Sequence, residues 1–176
     1  MDDEYKGKWM ETYTGKHFHF LNPKSEEVDI RDIAHHLSML CRFTGAVKTF
    51  YSVAEHSVRV SRIVNPRSKM AALLHDAAEA YTNDMSRPLK YVMPKIEEIE
   101  SSILGFIYKV FNITGYDWDE VREADDILLM TEGRDLMTNF HSWKQVAEPL
   151  HGTIVPMSPM VAEAEFLSRY YTLRED

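Results

Sequence analysis

The sequence predicts an all-α fold, a compact helical bundle with a short N-terminal β-hairpin, and three observations support it. Apolar residues recur at helical spacing in segment after segment between residues 29 and 172. The segments are separated by helix start and stop signals, with no repeat, low-complexity stretch or Gly/Ser linker between them. Only residues 9–20 read as strand. A chain of 176 residues, 44% hydrophobic and 27% charged, suits a single domain (1–176) with an enclosed core.

The elements follow in order. Trp9, Glu11 and Tyr13, then His17–Phe20, flank Gly15-Lys16, which reads as a two-residue hairpin turn. Asp29 caps a helix to about Cys41, with Ile30, Ile33, Ala34, Leu37 and Leu40 on one face. Ser52 and Glu55 form a capping box for a helix through Val60 and Ile63 that ends before Asn65-Pro66. A third helix is expected over roughly Arg67–Tyr81, and Asn83–Pro94, with its two prolines, reads as largely loop. Helices at about 95–112, 118–140 and 159–172 complete the core, the middle one started by Gly115-Tyr116-Asp117.

Charge and composition narrow the function. A net charge of −8 argues against a nucleic-acid polymer as partner, which needs a basic surface, but allows a small anionic substrate held by a few focused cations. No apolar run approaches the roughly 20 residues that span a bilayer, so no membrane partner is expected. Met1-Asp2-Asp3-Glu4 lacks the order of a signal peptide, and Cys41, the single cysteine, reads as a small core residue without a disulfide. A cytoplasmic location is the resulting expectation.

The informative segment is Ala71-Ala72-Leu73-Leu74-His75-Asp76-Ala77-Ala78-Glu79, an apolar run that contains three ionisable residues. Burying such groups is costly unless they are paired or bound to a metal. On a continuous helix His75 and Glu79 share a face with Asp76 beside them, and imidazole with carboxylate suits a divalent transition metal. A His-Asp dipeptide alone is weak, because a chain of this composition contains about half of one by chance. Context strengthens it. His56 lies on the preceding helix, across the Pro66 break, so a helical hairpin can bring the two histidines together. Farther on, Asp125 or Asp126, at the edge of an apolar helical run, can close the site from a third helix. His35-His36 point to opposite sides of their helix and cannot share a metal, and His17 with His19 reads as part of a surface strand. Arg42 can be a charge at a helix C-terminus, and Lys90 a solvated loop lysine.

The order His56…His75-Asp76…Asp125 resembles the H…HD…D signature of the HD-domain metal phosphohydrolases. Leu40–Gly45, Phe50–Ser57, His75–Tyr81 and Asp84–Lys90 extend the resemblance to the bacterial 5′-deoxynucleotidases and to short phage hydrolases of the DatZ type, which are dATP triphosphohydrolases. It covers roughly residues 9–140 and is dense over 40–90. It implies one Mn²⁺, Co²⁺ or Zn²⁺ on His56, His75, Asp76 and Asp125, the ligand from the third helix being Asp125 rather than Asp126. An additional Mg²⁺ or other divalent ion on the substrate phosphates is compatible with it. Glu79 would act on water, with Asp84 as partner acid or base. Arg42 and Lys90 would hold phosphate, and Phe43 would pack on sugar or base. The implied reaction is hydrolysis of the 5′-phosphate or the phosphate chain of a deoxynucleotide. A cyclic-nucleotide or (p)ppGpp phosphodiesterase is the alternative, against which Tyr81-Thr82-Asn83-Asp84 stands where an HD-GYP extension would. A nucleotide binder with a degenerate site fits less well, because Glu79 accompanies all four candidate ligands. The resemblance also implies a homo-oligomer, for which Phe166, Leu167, Tyr170 and Tyr171 are interface candidates unless they cover the core.

Overall fold

A computed structural model describes residues 8–175, so the acidic Met1-Asp2-Asp3-Glu4 start lies outside the described residues. Strands β1 (Trp9–Glu11) and β2 (His17–His19) pair antiparallel, with Met10 opposite Phe18. The turn differs from the two-residue expectation. Thr12 N–H donates to the Lys16 carbonyl at 2.8 Å and Gly15 N–H to the Thr12 carbonyl at 2.9 Å, which makes Tyr13-Thr14-Gly15 a three-residue loop. Gly15 takes the left-handed position this loop requires, at φ 80°. Asp32 accepts from Thr14 N–H at 2.6 Å, and Phe18 stacks on Tyr81 at 3.7 Å, so the hairpin is tied down on the helices.

Helix α1 (Ile30–Met39) starts where Asp29 accepts the Arg31 N–H, and α2 (Val53–Ile63) where Ser52 accepts the Glu55 N–H. The return arm of the expected capping box is not made. Glu55 instead accepts from Met157 N–H and Arg59, both at 2.7 Å, linking α2 to the chain before the last helix. Between α1 and α2 the chain doubles back. Arg42 N–H donates to the Tyr51 carbonyl at 2.9 Å and Val53 N–H to the Leu40 carbonyl at 3.1 Å, which places Arg42 beside the start of α2. Cys41 in this crossing is half-buried, not fully in the core.

The helix expected over Arg67–Tyr81 is interrupted. Helix α3 (Lys69–Leu73) and α4 (Glu79–Thr82) are separated by turns in which Ala77 N–H reaches Leu74 and Glu79 N–H reaches Asp76, three residues back. Side chains explain the break. The Ala71 carbonyl accepts from Tyr108 Oη at 2.8 Å and the Ala72 carbonyl from His75 Nδ1 at 2.8 Å. These are the carbonyls that would serve the His75 and Asp76 amides in a continuous helix.

The expected loop Asn83–Pro94 contains helix α5 (Arg87–Val92), followed by α6 (Pro94–Val110). Pro88 and Pro94 occupy first turns, where a missing N–H costs nothing, so they start helices instead of preventing them. Helix α7 (Trp118–Leu136), capped by Asp117, ends before the expected residue 140, and α8 (Pro159–Glu175) closes the chain. Helix α2 packs against α1, α3, α7 and α8 at the centre of the structure. Ile33, Leu37, Val58, Leu73, Ile107, Leu128 and Phe166 are fully or almost fully buried around it. Phe166 and Tyr170 thus belong to the core, and of the four C-terminal interface candidates only Tyr171 is exposed. Among the described residues no helix is long and apolar enough to cross a membrane.

The hydrogen bond from Arg31, opposed by partial burial, holds the Asp29 carboxyl well below the usual carboxylate range. A group with a lowered folded pKa stabilises above its unfolded value and loses that contribution as pH falls. Asp29→Ala should cost about 1 kcal/mol at pH 7 through the lost cap, with little added by the exposed ion pairs. In urea titrations the gap between variant and parent should narrow progressively as pH falls below about 4, the unfolded-state value.

Candidate metal centre

The break between α3 and α4 presents His75 and Asp76 to α2 and α7. His56 on α2 is fully buried, and its Nε2 lies 3.3 Å from His75 Nε2, 3.1 Å from Asp125 Oδ1 and 3.6 Å from Asp76 Oδ2. His75 Nε2 lies 3.3 Å from Asp76 Oδ2 and 4.0 Å from Asp125 Oδ1. Ligands bonded to one ion at about 2.0–2.2 Å stand at such separations from each other. His56, His75 and Asp125 offer their atoms within 4.8 Å of one another and could hold a metal ion.

The far side of each imidazole is already engaged. His75 Nδ1 donates to the Ala72 carbonyl, and His56 Nδ1 lies 2.6 Å from Glu132 Oε1. Each contact fixes its ring and, in the neutral form, leaves the Nε2 lone pair to point at the shared space. Burial and the Arg42 guanidinium oppose a charge on His56, but Glu132 and Asp125 outweigh them and raise its pKa to about 9. Burial alone would raise Asp125, whereas the His56 hydrogen bond and nearby positive charge hold it below the usual range. Without a metal the carboxylates draw a proton onto His56. The donor set therefore has the charge balance of a cation site.

Arg42 is buried, and Glu132 accepts from its Nε at 3.1 Å and pairs with its Nη2 at 3.0 Å. Its Nη1 lies 3.6 Å from Asp76 Oδ2. Arg42, Phe43, Asp76, Glu79, Asp84, Lys90 and Asp125 all line one cavity of about 660 Å³. Sequence reasoning therefore picked residues that the fold brings together. Lys90 bridges Glu79 Oε1 at 3.4 Å and Glu100 Oε2 at 2.7 Å. Burial, with Asp76 and Asp84 adding to it, raises Glu79 well above the usual carboxylate range, and its Oε2 is buried without a hydrogen-bond partner. Burial also raises Asp84. Asp125, not Asp126, brings a carboxylate oxygen within reach of His56 and His75, while Arg87 lies near both aspartates, 3.6 Å from Asp125 and 3.8 Å from Asp126.

The other histidines lie elsewhere. His35 pairs with Glu163 and stacks on Tyr13, while His36 Nδ1 donates to the Ala80 carbonyl and Nε2 accepts from Tyr13 N–H. His17 stacks on Trp9, and His19 pairs with Glu27.

Three residues escaped sequence reasoning. Glu132 is fully buried and holds both His56 and Arg42. A usable signal existed, since it sits in the apolar run after Leu128, two helical turns beyond Asp125 and on the same face. Arg87, 3.6 Å from Asp125, and Trp143, on the cavity wall, carry no such signal because they come from segments placed only by tertiary contacts.

Fold and site together define a mostly helical protein with a partly buried His/Asp group that could hold a metal ion. The chain is 36% identical over 171 residues to the uncharacterized protein YfdR of Escherichia coli strain K12, a match covering 95% of this chain and 96% of YfdR. It is 37% identical over 118 residues to an uncharacterized protein of Rhodobacter capsulatus, covering 61% of this chain and 60% of that one. No family model matches the chain. The chain belongs to the same family as YfdR.

Removing Glu132 should be felt in two ways. Glu132→Ala leaves Arg42 and His56 buried without their carboxylate, a loss of about 3–5 kcal/mol in denaturant unfolding. Glu132→Gln keeps the shape, and calorimetric Zn²⁺ or Mn²⁺ titration should show affinity reduced about 10- to 100-fold.

Proposed function

We propose that the protein is a metal-dependent phosphohydrolase of the HD superfamily, acting on the 5′-phosphate or phosphate chain of a deoxynucleotide. One observation carries the reading. Two imidazole Nε2 atoms and an Asp125 oxygen converge, with Asp76 Oδ2 3.3–3.6 Å from both nitrogens, beside a cavity that also contains Arg42, Lys90 and two carboxyls with raised pKa. His56, His75, Asp76 and Asp125 would hold the ion, and the donor chemistry suits Mn²⁺, Co²⁺ or Zn²⁺. Bound there, such an ion would neutralise phosphate charge and make a water more acidic.

The remaining work falls to side chains of the cavity. Arg42 gives one edge of its fork to Glu132, and Nη1 remains for a phosphate oxygen. Lys90, drawn inward by Glu79 and Glu100, adds a second positive charge. Glu79, with one oxygen unpartnered and its carboxyl raised above the usual carboxylate range, would take a proton from the attacking water. Asp84, also raised, would return a proton to the leaving oxygen. Phe43, half-buried beside Arg42, packs where sugar or base would lie.

The test is a panel of deoxynucleoside mono- and triphosphates, matching ribonucleotides and cyclic nucleotides, each with Mn²⁺, Co²⁺, Zn²⁺ or Mg²⁺, with products separated by chromatography. Deoxynucleotides should be hydrolysed in a metal-dependent manner, and Asp76→Asn should abolish turnover. Equal turnover of ribonucleotides would remove the deoxy preference, and no turnover with any metal would overturn the enzyme reading. Glu79→Gln should retain metal and lose about 10²- to 10⁴-fold in kcat. A raised pKa means the basic form of Glu79 accumulates only at higher pH than an ordinary carboxylate allows. The acid limb of the parent kcat profile should therefore lie above that range and be absent from Glu79→Gln.

A further inference from the structure

Glycine inside a helix costs about 1 kcal/mol relative to alanine, so a mid-helix glycine calls for a packing reason. Gly133 of α7 has one. A Cβ there would lie 2.6 Å from Phe140 Cδ2 and 3.0 Å from Trp143 Cζ3. The bare backbone is what lets these two rings sit down on the helix. The rings touch each other with centroids 5.9 Å apart, and Trp143 continues to Phe43 at 5.7 Å, tilted by 55°.

Phe43 is itself held in an unusual way. It and Thr44 lie in the left-handed region at φ 55° and 54°, a conformation that non-glycine residues rarely adopt. That backbone turns the ring under the Arg42 guanidinium, 5.1 Å from its centroid. A continuous path results, from Asp76 to Arg42 Nη1 (3.6 Å), from Arg42 to Phe43, and from Phe43 to Trp143. The path runs from the charged end of the cavity to an aromatic end, and both Phe43 and Trp143 are half-buried on the wall.

We propose that Trp143, seated by Gly133 and joined to Phe43, forms a stacking wall for the nucleobase of the substrate. The inference rests on the phosphohydrolase reading, because the arginine end must take the phosphate for the aromatic end to meet a base. The wall offers π-faces and a single indole N–H. It therefore favours any nucleobase over none and discriminates weakly among bases. Trp143 acts in binding and not in the chemical step. Tyr91, an exposed aromatic residue that also lines the cavity, is the competing platform.

The experiment compares equilibrium binding of deoxyadenosine 5′-monophosphate with that of deoxyribose 5-phosphate, the same sugar phosphate without a base. Isothermal calorimetry on the Zn²⁺-loaded full chain serves the parent and its Trp143→Ala, Trp143→Phe, Gly133→Ala and Tyr91→Ala variants. The parent should bind the base-bearing ligand about tenfold or more tightly than deoxyribose 5-phosphate. Trp143→Ala should erase most of that ratio while leaving deoxyribose 5-phosphate binding unchanged, and Trp143→Phe should keep most of it. Gly133→Ala should lower the ratio by displacing the ring. Unchanged far-ultraviolet circular dichroism and Zn²⁺ affinity in each variant exclude loss of fold. Should Trp143→Ala retain the full ratio, or Tyr91→Ala be the variant that erases it, the proposal is overturned and the phosphohydrolase reading stands. If the parent binds neither ligand and hydrolyses no nucleotide, that reading fails and takes the stacking wall with it.

Discussion

The Glu132 carboxylate lies fully buried on α7, with His56 of α2 on one oxygen and the Arg42 guanidinium on the other. Burying an ion is expensive, and burial pushes the Glu132 carboxyl upward. Arg42 and His56 outweigh that and keep it ionised. Each partner belongs to a different part of the chain, so this carboxylate ties the α1–α2 crossing, α2 and α7 into one arrangement. If it moved, the His56 ring would lose its orientation and Arg42 its direction into the cavity. Geometry at the candidate metal centre is in this sense set one layer behind it.

Charge accounts for the rest of the site. Asp76, Asp125 and Glu132 face Arg42 and two imidazoles, and without a metal a proton on His56 offsets part of the excess negative charge. A divalent ion would take that proton's place and return His56 to the neutral state a ligand requires. On the other side of the cavity Lys90 stands between Glu79 and Glu100. The proposed chemistry uses this division, with one carboxylate group holding a cation and another holding a proton.

Helix α7 does several jobs with one face. Asp125, Leu129 and Glu132 recur at helical spacing and reach the cavity or the groups behind it, and Gly133 next to them leaves room for Phe140 and Trp143. Sequence periodicity made α7 visible as a helix, with Asp125 and Asp126 at the edge of its apolar run. Glu132 was missed because a charge within such a run has no visible partner until Arg42 and His56, far away in the chain, fold against it. The expected helix over Arg67–Tyr81 failed for a related reason. Its apolar pattern is helical, but Tyr108 from α6 and the His75 ring take the carbonyls that would have continued it. In the supposed loop Asn83–Pro94 the two prolines were read as breakers, although at first-turn positions they start α5 and α6.

Local patterns carried α1, α2, α6, α7 and α8, the caps at Asp29, Ser52 and Asp117, and the chain reversal before β2, and they marked His56, His75, Asp76 and Glu79, with Asp125 preferred to Asp126 only through the resemblance to HD-domain proteins. These follow from backbone hydrogen bonding and side-chain periodicity over a few residues, which neighbours in sequence dictate. Tertiary structure decided which nitrogen of each imidazole faces the site, which edge of Arg42 remains open, and which aromatic ring lines the far wall. Each of those depends on a partner distant in the chain: Glu132 for His56 and Arg42, and the α7 backbone at Gly133 for Trp143. No local window contains both members of such a pair, so only the packed molecule specifies them.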